Sequence, residues 1–181
     1  MKQGKKVIFG ISLICVCALI AVSGYWYQYG AFKIIRNCIL TIGLFYIAVV
    51  DQREKRIPNR SIALLLILRA VLLIGEIICY PVYWKSLCLS CGIGFLLGGG
   101  VLLLAYAVSR GGIGMGDIKL FAVIGAYVGS GSVAACMLLS MIAAAVFSGI
   151  MIARKKLKIK DEIALGPFVA IGTILTLLIG A

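Results

Sequence analysis

The chain has 181 residues, of which 63% are hydrophobic and 13% charged, with a formal net charge of +12 and no histidine. Soluble domains are roughly half apolar and about a quarter charged, so this composition excludes an ordinary soluble globular protein. It also excludes every mechanism that needs an imidazole, the serine triad and the cysteine–histidine pair among them.

The apolar residues fall in runs of the length a bilayer demands, ~20 residues per helix. The first run, Val7 to Val22, follows Lys2, Lys5 and Lys6. It carries no clear small-residue cleavage site, so an uncleaved signal-anchor helix over about residues 7–24 is expected. Tyr25-Trp26-Tyr27-Gln28-Tyr29 comes next and has the composition of an interfacial aromatic belt. The second run, Ile34 to Val50, ends at Asp51, and Pro58 stops any helix from continuing through the basic loop after it. The third, Ser61 to Ile78, leads to a second aromatic belt at Tyr80-Pro81-Val82-Tyr83-Trp84. The fourth runs from Leu87 to Val108. A short fifth run, Ile118 to Gly129, starts after Asp117, Val133 to Ala153 forms a sixth and Ile163 to Gly180 a seventh. The expected fold is an all-α polytopic membrane protein, one domain over residues 1–181, with about seven (six to eight) spans.

Charge writes the topology. All of the 18 Lys and Arg except Lys33, Arg36, Arg69 and Lys85 fall on one side if the N-terminus is cytoplasmic, and both aromatic belts fall on the other. The net positive charge is therefore a topology signal, and no nucleic-acid partner is expected. The run Arg154 to Lys160 reads as an anchor against anionic lipids. Under this topology Asp51 and Asp117 lie on the same, cytoplasmic face.

Seven cysteines lie mostly inside apolar runs. Cys88 and Cys91 have metal-ligand spacing, but no second such pair and no histidine accompanies them, so buried thiols are the better reading and no metal or cofactor is expected. Arg69 and Glu76, seven residues apart, permit an ion pair within the third span, too far from the aspartates to join them. Gly94-x-x-x-Gly98 and Gly125-x-x-x-Gly129 permit close helix packing. Packing within the bundle is the commoner use of such stripes, and a homo-oligomer stays open.

A carboxylate at the edge of a membrane helix needs a reason. Two brought close can share a proton, one acting as base on a water and the other as acid. Helix dipoles suggest a split of roles, with Asp51 after the C-terminal end of one helix holding the proton and Asp117 before the N-terminus of another, near Lys119, ionised. Alternatively, Asp117 is only an N-cap and Asp51 a solvated charge beside basic neighbours. Gly111, Gly112, Gly114 and Gly116 favour the catalytic alternative, because they let an extended peptide come close to the carboxylates.

Gly114-Met115-Gly116-Asp117 followed by Ile118-Lys119-Leu120 resembles the signature of the type IV prepilin peptidases, aspartic proteases of the GxGD class. Asp51 with Arg56-Ile57-Pro58-Asn59 resembles the family's other aspartate and its downstream element, and Gly166-Pro167-Phe168 a stretch late in the family. The resemblance covers roughly residues 45–172. It implies a GxGD bundle in the bacterial plasma membrane that cuts the short basic leader of prepilin-like precursors, Flp-type ones included, after a glycine at the cytoplasmic face. Asp51 and Asp117 would be catalytic, with Gly114, Gly116, Lys119, Pro58 and Asn59 supporting them. Larger members also methylate the new N-terminus through a domain with paired CxxC motifs, so methyltransferase activity is not expected here. The partners implied are the precursor and the lipid bilayer. Two alternatives are a protease of the signal-peptide-peptidase kind, which would place tyrosine where Val50 stands, and a small proton-coupled transporter, which would hold its acids near the midplane.

Overall fold

A computed structural model describes residues 2–109, 112, 114–155 and 164–180. These form seven α-helices and no strand: α1 (Lys2–Trp26), α2 (Ala31–Glu54), α3 (Asn59–Cys79), α4 (Trp84–Val108), α5 (Met115–Val128), α6 (Val133–Ala153) and α7 (Gly166–Ile179), with a single 3-10 turn at Pro81–Tyr83. The all-α polytopic architecture expected from the apolar runs is the one observed. α6 begins and ends on the expected residues, whereas the expected start of the seventh helix, Ile163, lies outside the described residues, as do residues 156–160 of the basic cluster.

Among the described residues, four segments are long and apolar enough to cross a bilayer: α2, α3, the stretch Pro81–Val108 and α6. α5 and α7 have 14 residues each, which at 1.5 Å per residue is ~21 Å against a hydrocarbon core of ~30 Å. A helix too short to span is stable in such a setting only if protein surrounds it. α5 meets that condition. Ile118 and the whole stretch from Leu120 to Tyr127 are buried, and α2, α3, α4 and α6 all pack against it.

The α4–α5 contact explains the glycine stripes. A Cβ on Gly94 would overlap the Gly125 carbonyl, one on Gly125 would overlap the Gly94 carbonyl, and one on Gly98 would overlap the Phe121 carbonyl. The two stripes therefore pack on each other inside the bundle.

The ends of α5 are treated differently. Its C-terminal end stops inside the bundle, where carbonyls without a helical partner need donors. Arg69 on α3 supplies one: its Nε donates to the Ala126 carbonyl at 2.8 Å. Arg69 also donates through Nη1 to Glu76 Oε2 at 3.0 Å, so the expected ion pair forms. Sequence reasoning did not anticipate the third member, Arg36 on α2, whose Nη1 meets Glu76 Oε1 at 3.2 Å. Tyr127 completes the seam by donating to the Leu65 carbonyl at 2.8 Å. Both aromatic belts lie toward this end, where Phe32 and Tyr80 meet edge to face and the Tyr29 hydroxyl donates to the Gly180 carbonyl at 2.8 Å.

Candidate active site

The opposite end of the bundle gathers the C-terminal turn of α2 and the N-terminal turns of α3, α5 and α7. Asp51 does not follow α2 as expected but lies inside its last turn, because Asp51-Gln52-Arg53-Glu54 contains nothing that breaks a helix. The break comes at Lys55, in the left-handed region at φ 50°, with its N–H on the Asp51 carbonyl at 2.8 Å. Pro58 then begins α3, its carbonyl accepting the Ser61 N–H at 3.0 Å.

The Asp51 side chain points into the bundle and is only 5% exposed. Its Oδ2 accepts the Gly166 N–H at 2.8 Å, from the first residue of α7. That approach requires glycine, since a Cβ on Gly166 would sit 2.8 Å from Asp51 Oδ2 and 3.0 Å from its Cβ. Gly166 was visible in the sequence only as part of a Gly-Pro-Phe stretch. Its contact with a residue 115 positions away leaves no local signal.

Asp117 occupies the first turn of α5 and is half-buried. The N-cap is Gly114, which makes no side-chain cap, so the reading of Asp117 as an N-cap does not hold. The carboxylate folds back over Gly114, where a Cβ would lie 2.9 Å from Oδ2. Burial, and after it the neighbouring charge of Asp51, push the Asp117 carboxyl up to about 6. This direction runs against the ionised Asp117 expected from helix dipoles. A first-turn dipole contribution is modest and falls off within one turn, whereas desolvation and a like charge both act against ionising Asp117. Lys119 gives no relief, because its Nζ turns away to donate to Asn59 Oδ1 at 3.1 Å.

That bond and one packing contact tie the two motifs together. Gly116 lies against Ile57 so closely that a Cβ would come within 3.1 Å of the Ile57 Cβ. The Ile57-Pro58-Asn59 turn thus rests on the first turn of α5 through Gly116 and Lys119. The structure therefore brings Asp51, Asp117, Gly114, Gly116, Lys119, Pro58 and Asn59 to one end of the bundle, while Gly111 lies outside the described residues. Among the described residues neither carboxylate is paired with a cation. A cleft of about 210 Å³ opens between α2 and α7, with Val49, Gln52, Pro167 and Ile171 in its walls and Asp51 outside its lining.

The arrangement offers two coupled carboxylates, one held by a backbone N–H and one biased toward its protonated form. The sequence model of the type IV leader peptidase family matches residues 38–149, a stretch holding both aspartates. A prepilin leader peptidase/N-methyltransferase from Bacillus subtilis (strain 168) is 33% identical over 138 residues, which cover 76% of this chain and 52% of the relative. The chain thus spans about half the length of that curated relative. No solved structure matches the chain significantly. With the family's sequence model covering most of its length, the chain belongs to the type IV leader peptidase family.

Proposed function

We propose that the chain is a membrane aspartic endopeptidase that removes the leader peptide from type IV prepilin-like precursors, including Flp-type ones, at the cytoplasmic face of a bacterial plasma membrane. The observation that carries this reading is the gathering of Asp51, in the last turn of α2, and Asp117, in the first turn of α5, at one end of the bundle. A backbone N–H aimed at Asp51 Oδ2 is the contact a carboxylate anion uses.

Asp51 is accordingly the base and Asp117 the acid. Asp51 takes a proton from a water bound between the two carboxylates, and the oxygen attacks the scissile carbonyl. Asp117 gives its proton to the amide nitrogen as the C–N bond breaks, leaving a new carboxyl and a new amine. The Asp51 proton then returns the pair to its starting state. The cleft between α2 and α7 gives the chain beyond the cut an apolar path toward the bilayer. A proton-coupled transporter is a poorer fit, since both acids sit at one end rather than near the middle. The Bacillus subtilis relative is named for two activities, and our reading covers the hydrolytic one.

The test is co-expression with a prepilin-like precursor carrying a basic leader that ends in glycine. A size shift on a gel, with the cut after glycine established by mass, is expected for the wild type and absent for Asp51→Asn and Asp117→Asn. Processing by both variants sinks the aspartic mechanism.

A further inference from the structure

α7 holds Asp51 at its first residue, and the middle of the same helix shows what holds α7. Gly166 and Gly172 lie six residues apart, ~9 Å along the axis and ~120° around it. Gly166 faces Asp51 on α2, and Gly172 faces a different neighbour, α6. There a Cβ on Gly172 would overlap the hydroxyl, the backbone nitrogen and the Cα of Ser140. Backbone meets backbone at this point, so no change of side-chain rotamer could make room. Ser140 and Gly172 are both buried. The Ser140 hydroxyl turns back onto its own helix, donating to the Cys136 carbonyl at 2.6 Å, and also reaches the Val169 carbonyl of α7 at 3.5 Å. α6 in turn follows α5, the carrier of Asp117, after Gly129-Ser130-Gly131-Ser132.

We infer that Gly172 and Ser140 are positioning residues for Asp51, their contact seating α7 at the angle that aims the Gly166 N–H at the Asp51 carboxylate. α7 is wedged between α6 and α2. A helix pushed off α6 moves toward α2, and at Gly166 no space exists to take it up, because Asp51 Oδ2 and Cβ already crowd that position. Close-packed helices do not absorb such a push by compression. α7 must then tilt or slide, and the single N–H bond at its end loses its geometry. The seat also gives the partner of Asp51 a common frame with Asp117, since α6 and α5 form one hairpin. An effect on turnover rests on the catalytic reading of Asp51 proposed above; an effect on the Gly166 amide does not.

The full-length chain, isotope-labelled at glycine nitrogen, is studied by solution NMR in detergent micelles, with the Gly166 amide identified as the resonance absent from Gly166→Ala. A hydrogen bond to a carboxylate deshields an amide proton, so this resonance is expected downfield in the wild type and farther upfield in Asp51→Asn. Gly172→Ala should move it upfield as well and speed its exchange with solvent about tenfold, the worth of one charge-assisted hydrogen bond. On a prepilin-like precursor the same variant should lower kcat about tenfold with KM unchanged, as a misplaced catalytic group does. Leu177→Ala is the control. It empties a buried position of the same helix (4% exposed) without pressing on α6, so it should lower stability and leave the Gly166 amide in place. Ser140→Cys sets a larger sulfur against α7 and, as a milder wedge, should move the resonance the same way by less. An unmoved Gly166 resonance in whichever of Gly172→Ala and Ser140→Cys folds overturns the inference, as does an equal displacement in Leu177→Ala. A wild type that processes no precursor counts against the peptidase reading alone, because the amide decides the positioning role without substrate.

Discussion

The two ends of the bundle both bury acidic side chains, and they treat them in opposite ways. At one end Glu76, 4% exposed, is held between the guanidiniums of Arg36 and Arg69. At the other, Asp51 is equally buried but meets a backbone N–H, and Asp117 beside it is left with the unfavourable field of Asp51. Full neutralisation makes a carboxylate inert toward protons, while a pair with no cation partner among the described residues keeps its proton exchangeable. The ion cluster is therefore a structural joint at the end of α5, and the aspartate pair at its beginning is the site we propose for the chemistry.

Breaking the aspartate pair should give the largest effect on activity. Asp51→Asn or Asp117→Asn should each cut precursor processing by about 10²–10⁴-fold, the usual contribution of a positioned acid or base, in variants that still insert and fold. Removing the charge at the other end should act on stability instead. Glu76→Gln leaves the buried Arg69 and the part-buried Arg36 without their counter-ion and should cost about 3–5 kcal/mol, read as loss of folded protein in detergent on heating. Full stability in that variant would dissolve the contrast between the ends.

Gly166→Ala tests the geometry around Asp51 without touching a charge. A displacement of the carboxylate by even ~1 Å should lower processing by about 10²-fold, and wild-type kinetics would show that the α7 contact is incidental. Protonation supplies a smaller, signed effect. Asp117 is raised from 3.8 to about 6, so between those values the folded chain holds a proton that the unfolded chain has released. Stability should accordingly decline as pH rises from about 4 to about 6. At pH 7 Asp117→Asn should stabilise the fold by about 1–2 kcal/mol, the full shift being reduced by partial solvent screening. Processing should also fall above pH about 6 as the acid is lost, and a rate that climbs through that range would reverse the assigned roles. Least of all, Lys119→Met should lower processing only severalfold, since its bond to Asn59 is exposed.

What was legible in the sequence follows from the range of each interaction. The helices are written in local apolar runs, and α6 was bounded to the residue. The aspartates were visible because a carboxylate at the edge of such a run is unusual. Where Asp51 sits within its helix was misjudged because an apolar run ends before a helix must: Gln52, Arg53 and Glu54 continue the backbone geometry into water. The ion pair of Arg69 and Glu76 was readable as a spacing on one helix, whereas Arg36 joins from another helix and has no such signature. The same holds for Gly166. The raised carboxyl of Asp117 has no signature in the sequence, since burial and the neighbouring charge that cause it are not visible before the fold is known.

The hydrogen bond from Gly166 to Asp51 has a consequence for the timing of synthesis. Residues are delivered to the membrane in order, so both carboxylates are in place well before the helix that supplies this donor has been made. A nascent chain inserted only through α6 holds both carboxylates while lacking the contact that orders Asp51. The contact at Asp51 therefore forms late in translation, after the helices that carry both carboxylates have been made.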